Sequence, residues 1–373
     1  MNVNGFEWKD VKVLVTGASG FKGGWLSAVL KELGAKVYGT VQPYLNPYSS
    51  YHLLSVKGKI SRIQLDVTDV QKVFDTINTV SPDIIFHLAA KALVPTALRD
   101  PKRAFEVNVM GTLNIIEACR DLKVGQKILV CSMDHVFGSY SAEDLPKSGF
   151  KEITTVGYGG PYDTSKAAME LATRCYHETF ADSLPAIGIT RCANVYGYGD
   201  VNQRRVIPEF INSSIEKGIV ELTCRKNGRQ FIHVIDAIAG YIKAASSMNL
   251  TKQSGHAHNH EPFTPTFHFA LDKYGNKKTY VTIEELAKII SSAMKSQIVV
   301  NPHCVSFIPH ENKVQALNCH ETKKRLDWEP KIDFRDSLRK MGDWYKALNK
   351  NDIEQLEGMM HKDLEIAVET VGN

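Results

Sequence analysis

Three glycines at a fixed spacing constrain the fold of this chain more than any other feature of its sequence. Gly17, Gly20 and Gly23 form a Gly-x-x-Gly-x-x-Gly turn between a β-branched run, Val11–Thr16, and an apolar-periodic stretch, Trp25–Leu33. A phosphate-binding turn needs glycine where the backbone bends sharply, where it approaches a pyrophosphate, and where helix packs on strand. The helix N-terminus adds unpaired N–H groups for the anion. We therefore predict dinucleotide binding here, the alternative being a turn without a ligand.

Strand and helix patterns alternate over the first half of the chain. Short β-branched runs are separated by helical patterns of about 10–15 residues, which is typical of βαβ units and a parallel sheet covered on both faces. We expect an α/β fold, namely a Rossmann-type doubly wound parallel sheet with a smaller, mixed C-terminal domain. The further elements predicted are strands at Lys36–Val41, Ile60–Leu65, Asp83–Leu88, Lys127–Cys131 and Ala186–Thr190, and helices at Val70–Ile77 and Val109–Leu122.

The alternation weakens after about residue 195, where segments rich in Asn, Pro, Gly and His appear. We predict a dinucleotide-binding domain over residues 1–190 and a smaller domain over 191–350, whose segments can interleave with the first. Ser254–Pro265 has the composition of a loop. Residues 351–373 have the apolar spacing of a terminal amphipathic helix.

Composition excludes several classes of protein. With 43% hydrophobic and 23% charged residues, the 373-residue chain is globular rather than disordered. A net charge of +4 gives no sign of nucleic-acid or membrane binding, but suits an anionic small substrate. Seven cysteines without C-x-x-C spacing favour a reducing compartment, and we expect a cytoplasmic protein. No metal is expected, because neither His303-Cys304 nor Cys319-His320 has a second, correctly spaced pair.

A tyrosine and a lysine open the helical stretch that follows residue 160. Tyr162 and Lys166 lie four residues apart and therefore share one helix face. A lysine ammonium beside a phenol is expected to lower the pKa of the phenol, which makes tyrosine a usable base near neutral pH. Placed after the glycine turn, this pair indicates chemistry at a nicotinamide.

The choice of cofactor depends on the ends of the second and third strands. The second strand ends in Gly39–Pro43, with neither an acidic residue nor an arginine. Because an arginine there would hold the 2′-phosphate of NADP, we expect NAD. Asp66, after the third strand, is predicted to meet the adenine amine; the alternative is a helix cap.

Further motifs extend over nearly the whole chain, from about Val11 to Ala347. They are TGASGFKGGWL (Thr16–Leu26), HLAAKALVP (His87–Pro95), NVMGTLNIIEA (Asn108–Ala118), PYDTSKAAMEL (Pro161–Leu171), RCANVYGYGD (Arg191–Asp200), RRVIP (Arg204–Pro208), RQFIHV (Arg229–Val234), PHE (Pro309–Glu311) and LDWEPKIDF (Leu326–Phe334). Together they resemble the extended short-chain dehydrogenase/reductase family, in its nucleotide-sugar 4,6-dehydratase branch, and within it the CDP-glucose 4,6-dehydratases. The glycine turn and the Tyr/Lys pair are shared by the whole family, whereas GFKG-x-W and the late PHE are narrower signals.

The resemblance implies a tightly held NAD, a nucleoside-diphosphate hexose as substrate, and a homodimer or dimer of dimers built on two helices per subunit. It implies that Asn194 and Arg229 face the substrate, with Arg229 on the diphosphate and Arg205 as a second phosphate ligand. The alternative for each arginine is a surface ion pair. The cofactor contacts that it implies are Gly17, Ser19, Gly20, Phe21, Lys22, Gly23, Asp66, Val67, Leu88, Ala89, Ala90, Asn108, Tyr162 and Lys166.

The end of the fifth strand carries the signature of the dehydratase branch, with departures. In that branch a hydroxyl residue, an Asp and then a Glu or Lys stand here; in this chain they are Met133, Asp134 and His135. We expect Asp134 to be the acid that protonates the departing C6 hydroxyl and His135 to be the base at C5, because an imidazole titrates close to neutral pH. The alternative is a turn aspartate beside a structural histidine.

Met133 lacks the hydroxyl that would bond the C4 oxygen of the sugar. Thioether sulfur accepts only weakly. Ser132 is not expected to substitute for the hydroxyl, since successive strand residues point to opposite faces.

Three functions remain open at this point. The first is an NAD-dependent 4,6-dehydratase acting on a CDP-hexose. The second is an epimerase or another family member that oxidises C4 with a different outcome. The third, a catalytically silent nucleotide-binding regulator, is opposed by the joint presence of Tyr162, Lys166 and Asp134.

Overall fold

The structure, a computed structural model, describes residues 1–43, 46–54, 56–138, 140, 145–222, 227–248, 264–274, 279–300 and 314–372. The strands in chain order are β1 (Asn2–Val3), β2 (Phe6–Glu7), β3 (Lys12–Thr16), β4 (Lys36–Val41), β5 (Ser61–Gln64), β6 (Ile84–His87), β7 (Lys127–Cys131), β8 (Ala186–Cys192), β9 (Asn194–Tyr196), β10 (Ile219–Leu222), β11 (Gly228–Arg229), β12 (Phe231–His233), β13 (Thr266–Phe269), β14 (Val281–Thr282) and β15 (Gln297–Val300).

The α-helices are α1 (Phe21–Glu32), α2 (Ser50–Leu53), α3 (Val56–Lys59), α4 (Val70–Val80), α5 (Val94–Arg99), α6 (Pro101–Phe105), α7 (Gly111–Leu122), α8 (Pro161–Thr179), α9 (Val206–Lys217), α10 (Val234–Ser247), α11 (Ile283–Met294), α12 (His320–Leu326), α13 (Phe334–Asn349) and α14 (Ile353–Gly372). A π-helical turn spans Glu106–Met110 and a 3-10 turn spans Asp134–Phe137. Among the described helices, none is long and apolar enough to cross a membrane.

Seven parallel strands form the central sheet, in the order β13-β8-β7-β6-β3-β4-β5. The predicted Rossmann-type fold is therefore confirmed, and the six predicted strands are all present. After β5 the chain crosses to the other side of β3 and continues with β6. The strand order reverses at this point, and in such sheets ligands bind outside the carboxyl ends of the strands at the reversal.

Each face of the sheet has its own core, because successive strand residues point to opposite faces. Val13 and Val15 pack with α1 and α10 on one face, where Trp25 is fully buried. Leu14, between them, belongs to the core on the other face, where α4 and α7 pack. Continuous apolar strands with both faces covered are what the sequence pattern predicts.

The second half of the chain builds a smaller layer and also contributes to the central sheet. The smaller layer holds the parallel pairs β9–β12 and β10–β15 and the antiparallel pair β11–β14. β13, which comes later in the chain, pairs with β8 at the edge of the central sheet. Segments of the two halves thus alternate, and the domain limits at residues 190 and 350 stay a prediction.

The helix expected near the C-terminus is present as α14, which buries Leu356, Met360 and Leu364. Most of the loop predicted at Ser254–Pro265, and the PHE motif at Pro309–Glu311, lie outside the described residues.

Candidate active site

A cleft of about 970 Å³ opens at the carboxyl ends of β3, β6 and β7. Its floor is the sheet edge, and its far wall is formed by β9, α9 and β11. Of the residues predicted to bind or react, Asn108 and Lys166 do not line it. Those that do are Gly17, Ser19, Gly20, Phe21, Lys22, Gly23, Asp66, Val67, Leu88, Ala89, Ala90, Met133, Asp134, His135, Tyr162, Asn194, Arg205 and Arg229.

Backbone geometry explains two of the three glycines in the turn. Gly17 has φ +73°, and a Cβ there would lie 3.0 Å from the backbone nitrogen of Ala89. A Cβ on Gly23 would lie 2.1 Å from the carbonyl oxygen of Gly17. The first turn of α1 carries no acidic side chain, and no side chain caps its N-terminus. This arrangement can receive an anionic phosphate on backbone N–H groups.

Asp66 does not cap a helix; that position belongs to Asp69, which accepts a 3.1 Å hydrogen bond from the backbone N–H of Lys72. The Asp66 carboxylate accepts from the backbone N–H of Thr68 at 3.0 Å and pairs with the guanidinium of Arg103. Partial burial raises the pKa of Asp66, but these hydrogen bonds outweigh it and the pKa is lowered. The cleft therefore has a fixed anionic group beyond β5.

Asn108 lies behind the cleft wall, contrary to the expected cofactor contact. Its Oδ1 accepts a 2.8 Å bond from the backbone N–H of Lys91, and its Nδ2 donates to Ser165 Oγ at 2.9 Å. Asn108 itself is fully buried in the π-helical turn, and its two partners lie outside that turn. The side chain ties the segment after β6 to α8 and so positions the cleft wall.

Tyr162 and Lys166 are four residues apart on α8, but different groups surround their side chains. The Lys166 Nζ is buried, donates to the carbonyl oxygen of Cys131 at 2.6 Å and contacts Met169 Sδ at 3.2 Å. Burial lowers the pKa of Lys166 to about 8. Burial also raises the pKa of the Tyr162 phenol, and the Asp163 carboxylate adds to the increase. The expected lowering by Lys166 is thus wrong for this structure, and the opposing cation is Arg205.

Asp134 and His135 face each other at the floor of the cleft. Asp134 Oδ1 lies 3.8 Å from Nε2 of His135, while Asp134 Oδ2 is buried without a hydrogen-bond partner. Burial raises the pKa of Asp134, although His135 and Arg229 oppose the increase. A carboxyl group with a raised pKa keeps its proton closer to neutral pH, so this pair can supply an acid beside a base.

Met133 and Ser132 both line the cleft, which corrects the expectation that Ser132 faces away. The alternation rule does not apply because β7 ends at Cys131, one residue earlier. The Ser132 hydroxyl is buried and has no hydrogen-bond partner. It is therefore available as a hydroxyl near the position where Met133 lacks one.

The three predicted substrate ligands stand on the far wall. Asn194 is exposed and donates from Nδ2 to the backbone oxygen of Gln230 at 3.1 Å. Arg229 is buried, donates to the Gly228 carbonyl at 2.9 Å, and acts electrostatically on Asp134. Arg205 pairs with the buried Asp200 at 3.0 Å. This ion pair matches the alternative interpretation of Arg205, but it lies in the cleft wall.

Two side chains that the sequence did not mark as functional approach the floor of the cleft. Asp163 Oδ1 and Gln315 Nε2 lie 3.6 Å and 2.7 Å from Nδ1 of His135. Asp163 stands inside the Tyr-x-x-x-Lys motif, so its position could have been noticed. Gln315 is 180 residues from His135, and no local pattern reveals that contact.

The described residues contain no group of three or more His, Cys, Asp or Glu side chains that could hold a metal ion. Cys119, Cys131, Cys192 and Cys319 are buried free thiols, and Cys175 is an exposed one. Cys224 and Cys304 lie outside the described residues.

A parallel doubly wound sheet whose glycine turn and Tyr-x-x-x-Lys helix meet at one cleft defines the class of extended short-chain dehydrogenases/reductases. The model of the GDP-mannose 4,6 dehydratase family matches residues 14–341, so the chain belongs to that family of nucleotide-sugar dehydratases and epimerases.

Similar proteins include both of these activities. The chain is 25% identical over 348 residues to a CDP-glucose 4,6-dehydratase of Salmonella typhimurium, covering 91% of this chain and 92% of that protein. It is 26% identical over 364 residues to a CDP-paratose 2-epimerase of Salmonella typhi, covering 91% and 100%. Its fold matches a dTDP-glucose 4,6-dehydratase of Streptomyces venezuelae solved with NAD bound. The TM-score is 0.71 and the identity 22%, over 92% of this chain and 99% of that one.

Proposed function

We propose that this protein is an NAD-dependent nucleotide-sugar 4,6-dehydratase, a lyase, that acts on a CDP-hexose. The observation that carries the proposal is the pairing of Asp134 with His135, 3.8 Å apart in one cleft with Tyr162. Oxidation at C4 needs one base, whereas elimination of water needs an acid and a second base. These three side chains provide that number of groups.

The glycine turn and the end of β5 fit a bound dinucleotide. Gly17 and Gly23 leave room for a pyrophosphate at the start of α1, and Asp66 can accept a hydrogen bond from the adenine amine. Gln42 and Asn46 line the cleft beyond β4, and no arginine lies in that segment to hold a 2′-phosphate. This favours NAD, which supplies the hydride acceptor at C4 and the hydride donor to C6.

We assign the three proton transfers to Tyr162, His135 and Asp134. Tyr162 takes the proton of the C4 hydroxyl as the phenolate, and the positive charge of Arg205 favours that form because it opposes the raised pKa of the phenol. The C4 ketone acidifies the C5 proton, which passes to His135. Asp134, whose pKa burial raises, donates a proton to the C6 hydroxyl, which leaves as water.

The far wall offers the positive charge that a nucleoside diphosphate needs. Arg229 and Arg205 line the cleft, and we expect them to bind the diphosphate because a guanidinium matches pairs of phosphate oxygens. We expect Asn194, which also lines the cleft, to orient the sugar. The free thiols of the described residues suit a cytoplasmic enzyme.

A homodimer, or a dimer of dimers, is supported by apolar side chains that the structure leaves exposed on neighbouring helices. Leu98, Phe105, Met110 and Leu171 are between 37% and 54% exposed. They lie on α5, α6, the π-helical turn and α8, which contact one another. A second subunit can cover this face.

The test is incubation with CDP-glucose and other sugar nucleotides, followed by the mass of the product and the absorbance of its base-treated 4-keto form. A product lighter by one water supports the dehydratase. If none of the sugar nucleotides is turned over, the result would contradict an enzymatic function and favour a nucleotide-binding regulator.

The second candidate is an epimerase or another C4-oxidising enzyme. It is supported by the CDP-paratose 2-epimerase among the similar proteins, which is 26% identical to this chain, against 25% for the CDP-glucose 4,6-dehydratase. In the same incubation this function predicts a product of unchanged mass and altered stereochemistry.

A further inference from the structure

Gln315 and Asp163, from distant parts of the chain, both lie beside Nδ1 of the His135 ring. Gln315 Nε2 lies 2.7 Å from Nδ1 of His135, and Asp163 Oδ1 lies 3.6 Å from it. The other ring nitrogen, Nε2, lies 3.8 Å from Asp134 Oδ1. Gln315 and Asp163 thus lie beside Nδ1 of the ring, whereas Nε2 faces Asp134 and the cleft.

Two oxygens around Nδ1 need a hydrogen-bond donor. Asp163 Oδ1 and Gln315 Oε1 are both buried without a hydrogen-bond partner. A buried acceptor left in this state costs about 1–3 kcal/mol. As placed, the Gln315 amide donates from Nε2 to Nδ1 of His135, which makes Nδ1 the acceptor and leaves Oε1 unsatisfied. A half-turn of the amide brings Oε1 to Nδ1 instead, and a proton on Nδ1 then satisfies that oxygen. The Asp163 carboxylate, 3.6 Å from Nδ1, acts on such a proton by its charge rather than as a hydrogen-bond partner. The surroundings of Nδ1 therefore favour the tautomer that carries the proton there.

We propose that Asp163 and Gln315 are positioning residues that keep a proton on Nδ1 of His135, so that Nε2 is the atom that accepts the substrate proton. The inference rests on the proposed function, in which His135 is the base. When the C5–H bond breaks, its electron pair enters the C5–C6 double bond and the proton goes to Nε2. The departing C6 hydroxyl takes a proton from Asp134. The Asp163 carboxylate stabilises the imidazolium that forms, because it lies beside the protonated Nδ1.

The fold holds both positioning residues rigidly. Asp163 lies in the first turn of α8, directly after Tyr162. Gln315 is fixed by a 3.1 Å bond from its backbone N–H to the carbonyl of Gly228, next to Arg229. The charged groups among the described residues that face this ring are therefore Asp134 and Asp163, with Arg229 acting on Asp134 from β11.

The experiment compares the whole protein with Asp163→Asn, Gln315→Leu and Gln315→Glu, using Asp75→Asn on the exposed face of α4 as a matched control. The first readout is the tautomer of His135 from the nitrogen-15 shifts of its ring, measured without added cofactor or substrate. We expect a proton on Nδ1 in the original protein and in Gln315→Glu. In Asp163→Asn and Gln315→Leu we expect a shift of the proton toward Nε2.

The second readout is exchange of the C5 hydrogen in heavy water. We expect Asp163→Asn and Gln315→Leu to slow exchange, by less than the roughly 10²–10⁴-fold that loss of the base itself would cause. The appearance of reduced cofactor, which reports C4 oxidation, should persist in both. Gln315→Glu should keep exchange near the original rate although Gln315→Leu slows it, which a role in folding alone would not explain.

Two results separate this inference from the proposed function. If the original protein exchanges C5 hydrogen and both variants keep its rate and its tautomer, the positioning role is overturned while the dehydratase stands. If no sugar nucleotide is turned over, the dehydratase fails. The tautomer of His135 in the substrate-free protein and its variants then still decides whether Asp163 and Gln315 keep the proton on Nδ1.

Discussion

Lys166 donates a 2.6 Å hydrogen bond to the carbonyl oxygen of Cys131, the last residue of β7. An ammonium in this buried position loses its hydration, and the pKa of Lys166 falls to about 8. The lysine therefore costs stability while it is charged in the folded protein. It also fixes the end of the strand that leads to Asp134.

The first prediction concerns how the lowered pKa of Lys166 makes the stability of the folded protein depend on pH. Below pH 8 the lysine is charged in both the folded and the unfolded states. Between pH 8 and its unfolded value near 10.5, only the unfolded state holds the proton, so the folded state gains stability as pH rises. We expect the unfolding free energy of the original protein, relative to Lys166→Met, to rise by about 3 kcal/mol over this range. Urea unfolding followed by circular dichroism measures it.

Lys72→Met is the matched control, because the Lys72 side chain is 69% exposed. Its difference from the original protein should stay nearly constant over the same pH range. A pH-independent difference for Lys166→Met as well would show that the ammonium is not desolvated.

The second prediction concerns Tyr162→Phe. The variant loses the base that accepts the C4 hydroxyl proton but keeps the ring that packs at the cleft. We expect cofactor binding to be retained and hydride transfer to fall by roughly 10²–10⁴-fold. Single-turnover absorbance of the reduced cofactor measures the step, and near-normal turnover would refute the dehydrogenase chemistry.

The third prediction concerns the nucleotide that the protein carries. We expect NAD, since Gln42 and Asn46, both uncharged, line the cleft beyond β4. Mass analysis of nucleotide released from the denatured protein tests this. Recovery of mainly NADP would mean that a cation from another element reaches the 2′-phosphate.

The fourth prediction assigns the C5 proton to His135. His135→Asn should still oxidise C4, because Tyr162 is unchanged, but should not eliminate water. Reduced cofactor should accumulate, and the C5 hydrogen should not exchange with heavy water. Exchange at the original rate would show that another group is the base and that His135 has a structural role.

The central strands β3, β6 and β7 could be predicted from the sequence because they are apolar on both faces, which follows from a sheet covered on both sides. The edge strand β5 is mostly exposed and has Ile63 as its one apolar residue. Lys36–Val41 and Lys127–Cys131 have the predicted limits, and α1 starts earlier than Trp25, at Phe21, because the turn's last glycine already lies in the helix. Local pattern and propensity suffice for such elements.

The surroundings of individual side chains could not be predicted in the same way. Asn108 and Lys166 belong to family motifs. Their hydrogen-bond partners, Lys91 and Cys131, lie in other segments of the chain. Whether a motif residue reaches the cleft depends on such partners. The raised pKa of Tyr162 likewise follows from burial, which a spacing of four residues does not report.

The last prediction concerns Met133, which is 8% exposed and which the family resemblance aligns with the hydroxyl residue of the dehydratases. A neutral hydrogen bond to a reacting oxygen contributes roughly 0.5–1.5 kcal/mol, so its absence can slow C4 oxidation. On that view Met133→Thr raises turnover of a plain CDP-hexose. Alternatively the thioether packs against a substrate group that a plain hexose lacks, since methionine adapts to irregular apolar contacts. Met133→Thr then lowers turnover of the true substrate.

The structure adds a reason to favour the second outcome. The buried hydroxyl of Ser132, which has no hydrogen-bond partner, also belongs to the cleft lining and can replace the missing donor. Ser132→Ala should then slow C4 oxidation, whereas Met133→Thr should not speed it. Turnover of several sugar nucleotides by both variants separates the cases. No change in either variant with any substrate would place this segment away from the chemistry and would overturn the alignment of Met133 with the family hydroxyl.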